Sequence, residues 1–138
     1  LARGYPGRGG PRPLQPSKVL AVDDSDLMHR MYDVMLRGVP LLHARDGNEA
    51  LERLAQHPDI DLVLLDINMP NMSGFELLTE LGARGAVPSL AVIVVTTAGR
   101  EEDASRGLAA GAAAYLTKPS RGEEVRAAIA RLGEPNAP

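Results

Sequence analysis

KVLAVDD (residues 18–24) and DLVLLD (residues 61–66) decide how this chain is read. Each holds four consecutive apolar residues, enough for a strand and too few for a globular helix, and each stops at a carboxylate. Neither alternates apolar with polar, so both faces of each strand are expected to be covered by helices, as in a parallel sheet. Farther along, one strand-like run ends at Thr96–Thr97 and another at Lys118–Pro119. Parallel strands present their C-terminal ends along one edge, where open α/β sheets bind ligands. Asp23, Asp24, Asp66, Thr96 and Lys118 at that edge suit a hard divalent cation and a phosphoryl group.

Outward from these runs, strand and helix signals alternate, strand first, which predicts an α/β domain of five strands and five helices. The strands are read at Lys18–Val22, Leu41–Ala44, Leu62–Leu65, Leu90–Val95 and Ala113–Leu116. Helical spacing sets Leu27, Met31, Val34 and Met35 on one face of the first helix, and Ala50, Leu51 and Leu54 on the second. Phe75, Leu78 and Leu81 mark the third, and Val125, Ala128, Ile129 and Leu132 the last. The fourth, Arg100–Ala110, is expected to turn Ala104 and Leu108 inward. Ser25 or Asp24, Ser73 and Ser120 are the expected N-caps of the first, third and last helices.

A chain of 138 residues, 44% hydrophobic and 24% charged, fits one soluble domain. No apolar run approaches the roughly 20 residues that span a bilayer, and no signal-peptide pattern opens the chain. The absence of cysteine removes disulfides and thiolate metal sites and suits a cytoplasmic protein. One Phe, three Tyr and no Trp argue against a stacking platform for nucleic acid. The net charge of −3 is unevenly spread: residues 1–18 carry Arg3, Arg8, Arg12 and Lys18 with no acid, and the remainder carries −7. Such an acidic body is a poor binder of DNA phosphates. Residues 1–17, dominated by Gly, Pro and Arg, are expected to form a disordered tail or linker, residues 18–132 the domain, and residues 133–138 a C-terminal tail. The basic leading segment has the look of an interdomain linker and favours excision from a multidomain protein, whose output the sequence does not name. With six residues after Leu132, this chain has no room for a DNA-binding domain.

Phosphoryl transfer to a carboxylate needs an ionised Asp in line with the donor phosphorus and a cation to neutralise charge on the phosphoryl oxygens. Mg²⁺ takes about six oxygens and keeps several waters, so a few carboxylates and one carbonyl suffice; Mn²⁺ is an acceptable substitute. Asp23, Asp24 and Asp66 offer the carboxylates, and the Asn68 backbone carbonyl another oxygen. Lys118 is suited to hold a phosphoryl oxygen as a point charge, and Thr96 to donate a hydrogen bond to another. Each signal alone has a plain structural explanation, such as helix capping for Asp23–Asp24 or a turn for Lys118–Pro119. Their joint order at four strand ends does not.

With VDDS at 22–25, LLDINMPNMSG at 64–74, VVTTAG at 94–99 and GAAAYLTKP at 111–119, the chain resembles the receiver domains of two-component response regulators. The spacings agree as well: 30 residues from Asp66 to Thr96 and 52 from Asp66 to Lys118. The resemblance covers about residues 18–132. It implies a doubly wound, flavodoxin-like fold with strand order 2-1-3-4-5. It further implies that Asp66 takes a phosphoryl group from the phosphohistidine of a histidine kinase or phosphotransfer protein, with Mg²⁺ on Asp23, Asp24, Asp66 and the Asn68 carbonyl. By the same resemblance Thr96 and Lys118 contact the phosphoryl group, the Lys118–Pro119 peptide is cis, and Tyr115 is a switch aromatic. Movement of Thr96 would let that ring turn inward and remodel the surface of the fourth helix, fifth strand and fifth helix, where a downstream protein reads the state.

The expected function is a phosphorylation-controlled switch that modifies only itself, with no turnover of external substrates. A phosphorylation-independent pseudo-receiver is the alternative, against which the intact Asp23, Asp24, Asp66, Thr96 and Lys118 set argues. A small-molecule phosphatase resembling haloacid dehalogenases would want a second Asp two residues after Asp66, where Asn68 stands. Thr97 follows Thr96, so the choice of hydroxyl rests on spacing, and Ala98 offers no side chain to an attacking water. His29, His43 and His57 fall in a helix, a strand and a loop without ligand spacing and are read as structural. Met69 and Met72 flank the turn after Asp66, either lining the site or packing the loop.

Overall fold

The computed structural model describes residues 16–67, 73–83, 90–97, 101–118 and 121–132. The apolar runs become β1 (Val19–Val22), β2 (Leu41–Ala44), β3 (Leu62–Asp66), β4 (Ala91–Thr97) and β5 (Ala114–Lys118). Between and after them lie α1 (Asp26–Met35), α2 (Gly47–Gln56), α3 (Gly74–Ala83), α4 (Glu101–Ala109) and α5 (Gly122–Arg131). All strand pairs are parallel, and the sheet order is β2-β1-β3-β4-β5, as expected for a doubly wound fold.

Strand periodicity explains why the runs are continuously apolar. Leu20, Val22, Val63, Leu65, Val92 and Val94 point into a core shared with Ala50, Leu77, Leu78 and Leu81 of α2 and α3. The alternate residues Val19, Ala21, Leu62, Leu64 and Ile93 point the other way, against Tyr32, Leu36, Val125 and Ile129 of α1 and α5. Every side chain of β1 and β3 is therefore buried, one set on each face.

Local signals set the helix ends. Ser25 caps α1, its hydroxyl accepting from the Met28 N–H at 3.2 Å. Ser73 and Glu76 form a reciprocal capping box at α3: the Glu76 carboxylate accepts from the Ser73 N–H at 2.9 Å, and the Ser73 hydroxyl from the Glu76 N–H at 3.3 Å. At α2 the cap is Asp46, which accepts from the Glu49 N–H. Ser120 lies outside the described residues; α5 begins after Arg121, whose N–H donates to Glu124 at 2.7 Å.

Two inward faces differ from expectation. On α1, Leu27 and Val34 are exposed, at 58% and 63%, while Tyr32 and Leu36 are buried with Met28 and Met35 beside them. The two stripes have the same spacing, offset by one residue, so periodicity admits both; packing on the sheet selects the one containing a tyrosine. On α4, Ala104 is buried but Leu108 is 40% exposed, and Gly107 faces the sheet instead. A Cβ on Gly107 would stand 2.9 Å from Val94 Cγ2, so the missing side chain lets α4 lie close against β4.

Candidate functional site

The strand alternation that divides the core also assembles the site. Asp23, Asp66 and Lys118 share the parity of Ala21, Leu64 and Leu116, all on the α1/α5 side, and end three strands of one sheet. Carboxylate oxygens of Asp23, Asp24 and Asp66 lie within 4.8 Å of one another. Asp23 and Asp66 are buried, at 0% and 5% exposure, whereas Asp24 faces solvent. The Lys118 ammonium stands 2.8 Å from Asp23 Oδ2 and 3.4 Å from Asp66 Oδ2. Its approach to Asp23 Oδ2 is off the hydrogen-bonding line, leaving that buried oxygen with a counter-charge but no aligned donor among the described residues.

These residues fit a hard cation. Three clustered carboxylates, one open to water and one with an unsatisfied oxygen, supply the ligand type and the aqueous access that Mg²⁺ requires. Asn68, expected to add a carbonyl, and the Lys118–Pro119 peptide, expected to be cis, lie outside the described residues, as do Met69, Met72 and Ala98.

The pocket's field is felt by two neighbours. Burial works against the charge of Lys118, but the close contact with Asp23 and the charges of Asp66 and Asp23 outweigh it, so its pKa lies above the ordinary lysine value. Tyr32, at 2% exposure, has its phenol pushed up first by burial and then by the negative charges of Asp23 and Asp66. It stays protonated beneath the site, and no sequence signal singled it out.

On the opposite face of the sheet edge lie Thr96 and Tyr115. The register pairs Val94 with Tyr115 and Thr96 with Thr117, so Thr96 and Tyr115 are neighbours on the α4 side. Thr96 is 2% exposed, while Thr97 is exposed and paired with Lys118. Tyr115 is 46% exposed, and Leu108 of α4 is 40% exposed.

Sequence reasoning missed a close approach at Gly74. A Cβ there would stand 2.6 Å from Ile67 Cα and 2.8 Å from the Asp66 carbonyl oxygen, and the Gly74 N–H donates to Ile67 O at 3.0 Å. Glycine lets the start of α3 touch the main chain at Asp66. It also separated His29 from His43, which the structure joins because α1 is the crossover between β1 and β2.

An open parallel sheet with order 2-1-3-4-5 and an acidic C-terminal edge defines the class: a flavodoxin-like α/β domain built around strand-end carboxylates. The chain belongs to the response regulator receiver domain family, whose model matches residues 19–130. It is thus a receiver domain of two-component signalling. It is similar to a gliding motility regulatory protein of Myxococcus xanthus, 40% identical over 83% of this chain and 15% of that protein. A chemotaxis protein CheY homolog of Campylobacter jejuni is 34% identical over 74% of this chain and 81% of that one. The solved structure of chemotaxis protein CheY4 of Vibrio cholerae is 32% identical, with a TM-score of 0.77 over 86% of this chain and 99% of that chain. The chain spans about half or less of the longer curated relatives it matches. Among the described residues, no helix is long and apolar enough to cross a membrane.

Proposed function

We propose that this receiver is a phosphorylation switch whose acceptor is Asp66. An Asp66 oxygen forms a bond to phosphorus as the donor's N–P bond breaks, and the departing imidazole of a kinase or phosphotransfer protein takes up a proton. Asp23, Asp24 and Asp66, with the Asn68 carbonyl, would hold Mg²⁺ or Mn²⁺, which when bound neutralises charge on the phosphoryl oxygens. The observation that carries this reading is the cluster of three carboxylates within 4.8 Å, with Lys118 against two of them.

Lys118 exchanges part of its pairing with Asp23 and Asp66 for a phosphoryl oxygen. Thr96 is the coupling hydroxyl and Thr97 is not: burial beside Tyr115 favours Thr96, since its movement changes the space available to that ring. With Tyr115 and Leu108 exposed, the α4–β5–α5 surface is the reading face for a downstream protein. The domain works in the cytoplasm, modifies only itself, and contacts neither membrane nor nucleic acid directly.

The test is the intact mass of the protein after incubation with Mg²⁺ and acetyl phosphate. A Mg²⁺-dependent gain of one phosphoryl group is expected, and its loss in Asp66→Asn. A gain that persists in the variant at the same peptide would overturn the acceptor assignment.

A further inference from the structure

His29 and His43 have no part in the function above, yet they form a continuous chain into the acidic pocket. His29, at 8% exposure, has Nε2 2.7 Å from the Asp23 carbonyl oxygen and Nδ1 2.5 Å from His43 Nδ1. His43 in turn places Nε2 2.9 Å from Asp33 Oδ1. The rings meet edge-on, their planes at 85°.

Donors and acceptors can be counted. A carbonyl only accepts, so His29 Nε2 bears a hydrogen. His29 Nδ1 and His43 Nδ1 stand 2.5 Å apart, and one hydrogen between them makes an N–H···N hydrogen bond. A metal ion does not fit the gap, because two zinc–nitrogen bonds of about 2.0–2.1 Å at a tetrahedral angle hold their nitrogens about 3.3 Å apart.

The far end of the chain is a main-chain clamp. The Asp23 N–H donates to Ala44 O at 3.0 Å, its Oδ1 accepts from the Ser25 N–H at 2.9 Å, and its carbonyl accepts from His29. Oδ2 is left facing Lys118. We propose that His29, held by a hydrogen bond to His43, is a positioning residue that fixes the Asp23 main chain and pre-orients this cation ligand. The proposal rests on the cation-dependent reading above.

Two measurements on the full chain test it. In ¹⁵N-histidine-labelled protein, a nitrogen–nitrogen coupling across the hydrogen bond is expected between His29 and His43 Nδ1; its absence would overturn that link. Mg²⁺ titration followed by amide shifts should show His29→Leu weakening binding about 10-fold, the scale on which groups behind metal ligands act. His29→Gln, whose amide N–H reaches the same carbonyl, should return to within about threefold of wild type. The two variants should unfold at similar urea concentrations, which separates positioning from stability. Equal Mg²⁺ affinities in both, or losses that merely follow the urea midpoint, would overturn the assignment. Should the His29 variants not fold, His43→Leu, which removes the partner of His29 Nδ1, is expected to weaken Mg²⁺ binding about two- to threefold; unchanged binding overturns the proposal. A wild-type chain that binds no Mg²⁺ overturns the cation reading and this inference together, whereas normal wild-type binding with an insensitive His29 removes only the latter.

Discussion

Lys18 and Lys118 stand at opposite ends of the sheet, each 23% exposed and each within 3 Å of an aspartate. Their partners make the difference. Asp59, paired with Lys18 at 2.9 Å, is 57% exposed, whereas the Asp23 and Asp66 side chains beside Lys118 are 1% and 7% exposed. At similar separation, the attraction between opposite charges grows as their surroundings become less polar than water. The lysines are matched, so the burial of the acid decides which end stores electrostatic energy. The N-terminal end is a tether, where Asp61 also accepts from the Ser17 N–H. The C-terminal end is a charged site in which the Lys118 ammonium lies against two buried carboxylates.

The sharpest break in that comparison is chemical. Asp66→Asn should abolish phosphoryl incorporation, while Asp59→Asn should leave it unchanged, as read by intact mass. Next in size is Gly74→Ala, which forces a methyl group against main chain at Asp66 and Ile67. It should cost about 3 kcal/mol in urea unfolding, the upper range for overpacking, because neither obstacle is a side chain that can rotate away. Gly82→Ala, at the other end of α3 with open space around it, should be neutral or slightly stabilising.

A smaller effect is expected from Lys118→Met. It removes the Lys118 ammonium from beside the two buried carboxylates and should cost about 1–2 kcal/mol in chelator, below the loss for a fully buried pair because the ammonium is partly exposed. Mg²⁺ should restore part of that loss and bind more tightly than in wild type, whereas Lys18→Met should give no Mg²⁺-dependent change. The smallest effect lies at Asp59, whose pKa is lowered chiefly by its hydrogen bond from Lys18. A depressed carboxylate stabilises the fold above its unfolded value of 3.8 and loses that contribution as pH falls through the lower folded value. Asp59→Asn should therefore lower stability slightly at neutral pH, flatten the acid limb of a stability–pH curve, and leave stability below the folded pKa unchanged.

Much of this was legible along the chain. The continuous apolar runs declared buried parallel strands, and the residues that end them located the edge. Ser25 and Ser73 announced their helices because capping is a contact within three residues. What stayed hidden was contact across the fold. The face of α1 was ambiguous because Leu27–Met31–Val34 and Met28–Tyr32–Met35 have the same spacing. His29 and His43 looked unrelated, being 14 residues apart on different elements.

The sequence by itself determined the five-strand, five-helix order and put carboxylates, a hydroxyl and an ammonium at strand ends, since period and chain order are local properties. Only the tertiary structure decided that Lys118 lies closer to Asp23 than to Asp66, that Thr96 and not Thr97 is buried beside Tyr115, and that two histidines brace the Asp23 main chain. Each depends on sheet register and on how a crossover helix is rotated. Those are settled by packing residues far apart in sequence, where distances of a few tenths of an ångström choose between one partner and another.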